Sequence, residues 1–235
     1  MIGPQPKEAE AVIEACAVGL GAPLSRWQHE WRCTADGAGM RFAGKRWQLD
    51  LPMPPLPGAH QIANAGAAIA CLEQLQGLPL PPEAIADGLQ RIEWPARLQR
   101  LTRGPLVELM PPGWELWLDG GHNPGAGAVL ADFVAGWHDR PLFLVVGMLN
   151  TKDSGGFLGP FAPHAKALAA VTIPGEQNPL PAEAIATAAG TVGINASTAP
   201  SVAAALARFM LDSTGGRVLI CGSLHLAGTV LQENS

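Results

Sequence analysis

The sequence predicts an α/β protein built on a mostly parallel sheet with helices on both faces. Through the second half, short apolar segments alternate with helical segments, and each apolar segment is continuous rather than alternating. Continuous apolar strands are typical of parallel sheets that are covered on both sides. The predicted strands are 116–119, 141–148, 167–173, 192–195 and 217–221, and the predicted helices lie near 125–138, 154–165, 181–190, 200–214 and 223–232.

The first half is less regular and predicts an incomplete α/β unit. Helical spacing or composition predicts helices over 6–20, 60–75 and 82–92, whereas only 23–27 and 40–51 have the composition of strands. Trp94-Pro95 ends the last of these helices, because proline cannot continue one. We therefore expect a remnant of a larger domain at 1–97 and a complete domain at 98–235.

Composition narrows the class of protein. The chain has 235 residues, of which 48% are hydrophobic and 15% charged, so a sizeable core is expected and disorder is excluded. A net charge of −5 argues against a nucleic-acid partner. Apolar runs are too short for a membrane span. The four scattered cysteines lack zinc-ligand spacing, which favours a cytoplasmic protein with no metal bound by these thiols.

The strongest candidate site is the turn Asp119-Gly-Gly-His122-Asn123-Pro124, which follows a predicted strand and opens a predicted helix. Ligands of open α/β sheets dock at the carboxyl ends of strands, and glycines allow backbone to approach them closely. Asn-Pro suits a helix start. The alternative is a well-made turn whose Asp119 and His122 make only local hydrogen bonds.

Two further strands end in polar turns. Lys152 and Asp153 follow the strand 141–148, and Ser223 and His225 follow the strand 217–221. Because the carboxyl ends of parallel strands meet at one edge of a sheet, we expect these side chains to share a site with Asp119 and His122.

The sequence matches the phosphate-loop pattern G-x-x-x-x-G-K once, at 39–45. Arg46 stands where a magnesium-binding serine or threonine is needed, and a strand follows instead of a helix. Without a helix amino terminus the loop has no dipole to receive phosphate. We reject this match as a nucleotide site.

Two weaker candidates lie outside the strand ends. His60 and Asn64 are four residues apart on one helix face, where the amide could bind an adenine edge. Helix capping and a solvated asparagine are the alternative. Arg97 lies at the domain junction and could hold phosphate with its fork of donors, or it could be a surface arginine on a linker.

Five motifs together resemble the folylpolyglutamate synthases and bifunctional dihydrofolate synthases, which are relatives of the Mur ligases. They occur in the family's order at 60–65, 95–99, 119–124, 147–153 and 221–224. Two positions depart from the family's usual pattern: Ala96 replaces a glycine, and Asn150-Thr151 replaces a pair that ends in aspartate.

The resemblance implies an ADP-forming ligase with a Rossmann-like carboxyl-terminal domain. Such an enzyme uses ATP to convert a folate carboxylate, or that of dihydropteroate, to an acyl phosphate that the amine of L-glutamate attacks. The roles implied are Asn64 at adenine, Arg97 at the phosphates, Asp119 at the ribose or the metal shell, His122 with Arg97 in catalysis, and Lys152 and Ser223 at the amino acid's carboxylates.

ATP and Mg²⁺ are the cofactors implied, with the magnesium ligands expected in an amino-terminal part that has no match here. We therefore expect a carboxyl-terminal portion that is inactive alone, of an enzyme that is monomeric at full length. One alternative is a non-catalytic module that binds a nucleotide or an acidic amino acid. A dinucleotide-dependent oxidoreductase is disfavoured, because no G-x-G-x-x-G opens the first helix of the sheet.

Overall fold

The computed structural model describes residues 1–75, 77 and 79–235. It divides into two compact units, Met1–Trp94 and Pro95–Ser235. The assignment of 1–97 to a remnant of a larger domain, and of 98–235 to a complete domain, stays a prediction. Within the described part of the chain, no helix is both long enough and apolar enough to cross a membrane.

The first unit is built on a three-stranded antiparallel sheet with strand order β1-β2-β3. The prediction of one strand over 40–51 was wrong, because the turn at 44–47 splits it into two strands and β1 was missed. Residues 23–27 contribute only isolated bridges. The elements are α1 (Lys7–Leu20), β1 (Arg32–Asp36), β2 (Gly39–Ala43), β3 (Gln48–Pro52), α2 (His60–Gln74) and α3 (Pro82–Gln90).

The second unit contains a six-stranded sheet with the order β4-β5-β9-β6-β7-β8, in which β4 is antiparallel to β5 and every other neighbouring pair is parallel. The predicted α/β class is confirmed. Its elements are β4 (Gln99–Leu101), α4 (Pro105–Glu108), β5 (Trp114–Leu118), α5 (Pro124–Val134), β6 (Leu142–Val146), α6 (Ser154–Leu158), β7 (Ala165–Ala170), α7 (Ala182–Thr191), β8 (Ala196–Thr198), α8 (Val202–Asp212), β9 (Gly216–Cys221) and α9 (Leu224–Glu233).

Helices cover both faces of this sheet, and β6 shows why its sequence is continuously apolar. Phe143 and Val145 pack into the cluster that contains residues of α8 and α9. Leu144 and Val146 point to the other face and pack with residues of α5, α6 and α7. Every residue of β6 is buried, and each such apolar side chain contributes roughly 1.5–3 kcal/mol by leaving water.

Three details of the second unit differ from the sequence prediction. The expected strand at 192–195 was wrong: Gly193, at φ +88°, lies in the turn after α7, and β8 begins at Ala196. The expected helix over 154–165 ends at Leu158 and continues as one 3₁₀ turn, Gly159–Phe161, which contains Pro160. The edge strand β4 was missed, since three residues give too little pattern to recognise.

Candidate active site

The three strands whose ends carry the polar turns are neighbours in the sheet. β9 lies between β5 and β6, so the turns that follow these strands meet at one edge. They line a pocket with a cavity volume of about 140 Å³. His122 comes from the turn after β5, Lys152 from the loop after β6, and Ser223 and His225 from the start of α9. The other lining residues are Leu149, Gly222 and Leu224.

His122 is oriented by its own turn. Its Nδ1 lies 2.9 Å from the carbonyl oxygen of Gly120. A carbonyl can only accept, so Nδ1 donates, and in the neutral ring Nε2 is the acceptor. A Cβ on Gly120 would lie 2.3 Å from Cδ2 of Leu224, so a larger residue there would push this exposed side chain aside. The histidine therefore presents a defined tautomer.

Ser223 begins α9 and is 4% exposed. Its Oγ accepts a hydrogen bond from the backbone N–H of His225 at 3.0 Å, which makes it the N-cap of that helix. The preceding Gly222 has φ +104°, and a Cβ there would lie 2.7 Å from the carbonyl oxygen of Gly147. Only glycine lets the turn after β9 pass this close to the end of β6.

Lys152 brings an ammonium group to the pocket from a tightly turned loop. Its backbone N–H donates to the carbonyl of Leu149 at 3.2 Å. The neighbouring Asp153 caps α6 by accepting the N–H of Gly156 at 2.8 Å. The loop is therefore fixed on both sides of the lysine, while the half-buried side chain lines the pocket.

His225 has a partner that the sequence did not reveal. Its Nδ1 lies 2.6 Å from Oε1 of Glu176, which belongs to the segment between β7 and α7. That segment is tied to the loop after β6, since the N–H of Leu180 donates to the carbonyl of Met148 at 2.8 Å and the amides of Asn150 and Asn178 bond reciprocally. The only signal for Glu176 was its place after a predicted strand.

The Asp119 carboxylate is bonded to backbone of its own unit. The residue is 5% exposed. Its Oδ2 accepts the N–H of Leu98 at 2.8 Å, and its Oδ1 accepts the N–H of Gly121 at 2.6 Å. Burial, with a smaller contribution from the Asp119 charge, raises the pKa of the Cys221 thiol, which keeps this cysteine protonated and unreactive.

Arg97 lies at the tip of a strained turn in the same unit. Its side chain is exposed, but Ala96 and Leu98 on either side are buried and have φ values of +57° and +46°. These left-handed conformations cost roughly 1–2 kcal/mol for a residue with a Cβ. Glycine adopts a positive φ without this cost, which gives a physical reason why the family that this sequence resembles usually has glycine at the position of Ala96.

In the first unit, the polar residues at the start of α2 form a chain of side-chain contacts. The Asn64 amide donates to Oε1 of Gln61 at 3.0 Å, and Nε2 of Gln61 lies 2.9 Å from Nε2 of His60. Asn64 is exposed. The adenine contact at Asn64 stays a prediction.

The rejected phosphate-loop match is a strand followed by a turn, and the backbone N–H groups of that turn donate to a carboxylate. Gly39–Ala43 forms β2. Oε1 of Glu73 accepts the N–H groups of Arg46 and Trp47, both at 2.7 Å, and Oε2 accepts that of Lys45 at 3.1 Å. Glu73 is 3% exposed. This loop therefore does not fit a nucleotide phosphate.

Among residues 1–75, 77 and 79–235, no three His, Cys, Asp or Glu side chains cluster closely enough to hold a metal ion. Magnesium is bound through carboxylates, waters and phosphates. The described residues therefore do not form a magnesium site by themselves.

The sheet, its turns and its pocket define an α/β domain with a pocket at the carboxyl edge of its parallel strands. Residues 103–224, more than half of the chain, match the family described as "Mur ligase, glutamate ligase domain". The chain belongs to this family.

The chain is similar to one curated relative and to two solved structures. The Lacticaseibacillus casei folylpolyglutamate synthase is 27% identical over 237 residues, an alignment that covers 96% of this chain and 51% of that protein. The Mycobacterium tuberculosis folylpolyglutamate synthase complexed with ADP and AMPPCP gives a TM-score of 0.78 at 26% identity, covering 98% of this chain and 54% of that one. A bifunctional folylpolyglutamate synthase/dihydrofolate synthase with Mn, AMPPNP and L-glutamate bound gives a TM-score of 0.77 at 30% identity, covering 94% of this chain and 50% of that one. The chain thus spans about half the length of these proteins.

Proposed function

We propose that the chain provides the glutamate-ligase domain of an ATP-dependent, ADP-forming folylpolyglutamate synthase. The observation that carries this proposal is the meeting of His122, Lys152 and Ser223 on one pocket, from three strand ends that lie far apart in the sequence. The family match and the folylpolyglutamate synthases of similar sequence and structure supply the reaction. Dihydropteroate is a second acceptor that the same domain could serve in a bifunctional enzyme.

The pocket has the chemistry to hold an acidic amino acid. The Lys152 ammonium provides a positive charge for a carboxylate. Ser223 lies at the amino terminus of α9, where helix N–H groups and the helix dipole favour an anion. The solved relative with bound L-glutamate supports this choice of ligand.

The nucleotide side of the proposal rests on Arg97 and His122 of the second unit, while the adenine contact at Asn64 stays a separate prediction. The exposed guanidinium of Arg97 would bind the phosphates that develop charge during transfer. His122, with Nε2 as the acceptor of its neutral ring, would hold the reacting groups in place. Catalysis would consist of positioning and charge neutralisation by these groups. The divalent ion would be supplied with ATP.

Assayed alone, this 235-residue chain should show no ligase turnover. Its one match to the phosphate-loop pattern runs into a turn whose N–H groups already donate to Glu73, and its described residues offer no magnesium cluster. The measurement is ADP release in the presence of ATP, Mg²⁺, a reduced folate and L-glutamate. Sustained release above the background of a heat-treated sample would contradict this part of the proposal.

The amino-acid site can be tested without turnover by calorimetry of the chain with L-glutamate. Lys152→Ala should weaken binding at least tenfold, equal to about 1.4 kcal/mol, because it removes the pocket's ammonium group. Lys166→Ala is the matched control, since it removes the same charge from the opposite end of the sheet, near the start of β7. L-glutamine, which has one carboxylate fewer, should bind more weakly to the unsubstituted chain. Equal affinities of the two lysine variants would contradict the proposed glutamate site.

A non-catalytic module that binds an acidic amino acid is the second candidate. The observation that favours it is that every residue lining the pocket belongs to the second unit. The two candidates separate when a polypeptide that carries a phosphate loop of this family is added. Turnover restored by that addition supports the ligase domain, whereas binding of L-glutamate with no turnover supports the module.

A further inference from the structure

Arg97 is linked to the turn that carries His122 by two hydrogen bonds, one between backbone groups and one accepted by the Asp119 side chain. The N–H of Gly120 donates to the carbonyl of Ala96 at 2.9 Å. The N–H of Leu98 donates to Oδ2 of Asp119 at 2.8 Å. The residues on both sides of Arg97 are therefore fastened to the residues that immediately follow β5.

The fastened turn is strained in a way that directs one side chain outward. Ala96 and Leu98 adopt left-handed conformations and are buried, whereas Arg97 between them is exposed. The side-chain oxygen of Gln99 adds a third connection by accepting the N–H of Ala96 at 2.9 Å. Backbone strain of this kind persists only where surrounding contacts over-determine it, and such strain clusters at functional sites.

Asp119 is placed to hold this turn rather than to present a free carboxylate. It is 5% exposed, and each of its oxygens accepts a backbone N–H, one from Leu98 and one from Gly121. Hydrogen bonds to an ionised carboxylate are stronger than neutral ones and contribute roughly 1.5–3 kcal/mol each. The same side chain thus joins the Arg97 turn to the Gly-Gly turn that orients His122.

We infer that Asp119 is a positioning residue, which fixes the direction of Arg97 relative to His122 through the N–H of Leu98. This inference rests on the proposed function, in which Arg97 binds phosphate. It predicts that loss of the carboxylate weakens phosphate binding only through Arg97. Asp119 and Arg97 should therefore behave as one energetic unit.

The test is a double-mutant cycle on the whole chain, with ADP as the probe in calorimetry. Arg97→Ala should weaken ADP binding about tenfold, and Asp119→Ala should weaken it nearly as much, because it removes the acceptor of the Leu98 N–H. The double variant should be no weaker than Arg97→Ala alone. Gln99→Ala, which loosens the same turn without touching Asp119, should give a smaller loss that also disappears in the Arg97→Ala background.

Amide hydrogen exchange supplies a readout that does not depend on ADP. The N–H of Leu98 should be protected in the unsubstituted chain and exposed in Asp119→Ala, while the N–H groups of β6 and β9 stay protected and show that the unit is folded. Additive losses of ADP affinity, or an unprotected Leu98 amide in the unsubstituted chain, would overturn the inference. If the unsubstituted chain binds no ADP, the phosphate role of Arg97 fails, and the exchange of the Leu98 amide alone decides whether Asp119 holds the turn.

Discussion

The contact between Glu73 and the turn at 44–47 gives the most quantitative prediction. In Glu73→Gln, the remaining carbonyl oxygen can still accept the N–H groups of Arg46 and Trp47. The new amide nitrogen would face the N–H of Lys45, so one part-buried donor loses its acceptor at a cost of roughly 0.5–1.5 kcal/mol. The two retained bonds change from charged to neutral and each lose roughly 0.5–1 kcal/mol. The expected destabilisation of the first unit is therefore about 1.5–3.5 kcal/mol.

The assay is urea unfolding of the chain, with amide hydrogen exchange of β2 and β3 to assign the transition to the first unit. Glu83→Gln is the matched control, because that glutamate is exposed in the first turn of α3 and its replacement should change stability by less than about 0.5 kcal/mol. A cost below 1 kcal/mol for Glu73→Gln would refute the reasoning that this carboxylate holds the turn.

Two further predictions concern a glycine and an ion pair. Gly222→Ala should destabilise the second unit by about 3 kcal/mol or more, because its φ would be strained and its Cβ would crowd the carbonyl of Gly147. Gly193 also has a positive φ, +88°, but open space where a Cβ would lie, so Gly193→Ala should destabilise the unit by only about 1–2 kcal/mol. Equal losses of stability in urea unfolding would contradict the crowding at Gly222. The hydrogen bonds from Arg26 lower the pKa of Glu30 to about 2 from its ordinary 4.5. The folded state thus binds this proton less readily than the unfolded state, so the contribution of Glu30 is complete above pH 4.5 and is lost as the pH falls towards 2. In Glu30→Gln, the thermal stability should fall less steeply between pH 4.5 and about pH 2. An unchanged dependence on pH would refute this role of Glu30.

The second unit was predicted well because its strands carry a strong signal. A strand that is buried on both faces, as β6 is, has to be apolar at every position, and the helices between strands are long enough to show their spacing. The first unit was predicted less well. β1 was missed because Cys33 is the only buried residue in a strand whose other positions are exposed, so its sequence lacks the apolar pattern of a strand.

The site shows a similar division between local and distant information. His122, Lys152 and Ser223 were found because each follows a strand directly, and the sheet then decides that they meet. Glu176 could not be found in the same way. Its contact with His225 depends on the path of a loop between β7 and α7, which the residues of that loop do not specify by themselves.

The order of the strands explains why motifs about 100 residues apart form one site. β9 is the last strand in the chain but lies between β5 and β6, so the Ser223 turn is inserted between the turns of His122 and Lys152. Gly222 makes this insertion possible, because any larger residue would collide with the carbonyl of Gly147 at the end of β6. The backbone therefore fixes where the three turns meet, while the side chains that project from them decide what is bound. A change at Lys152 should consequently alter the ligand and leave the fold intact, whereas a change at Gly222 should damage both.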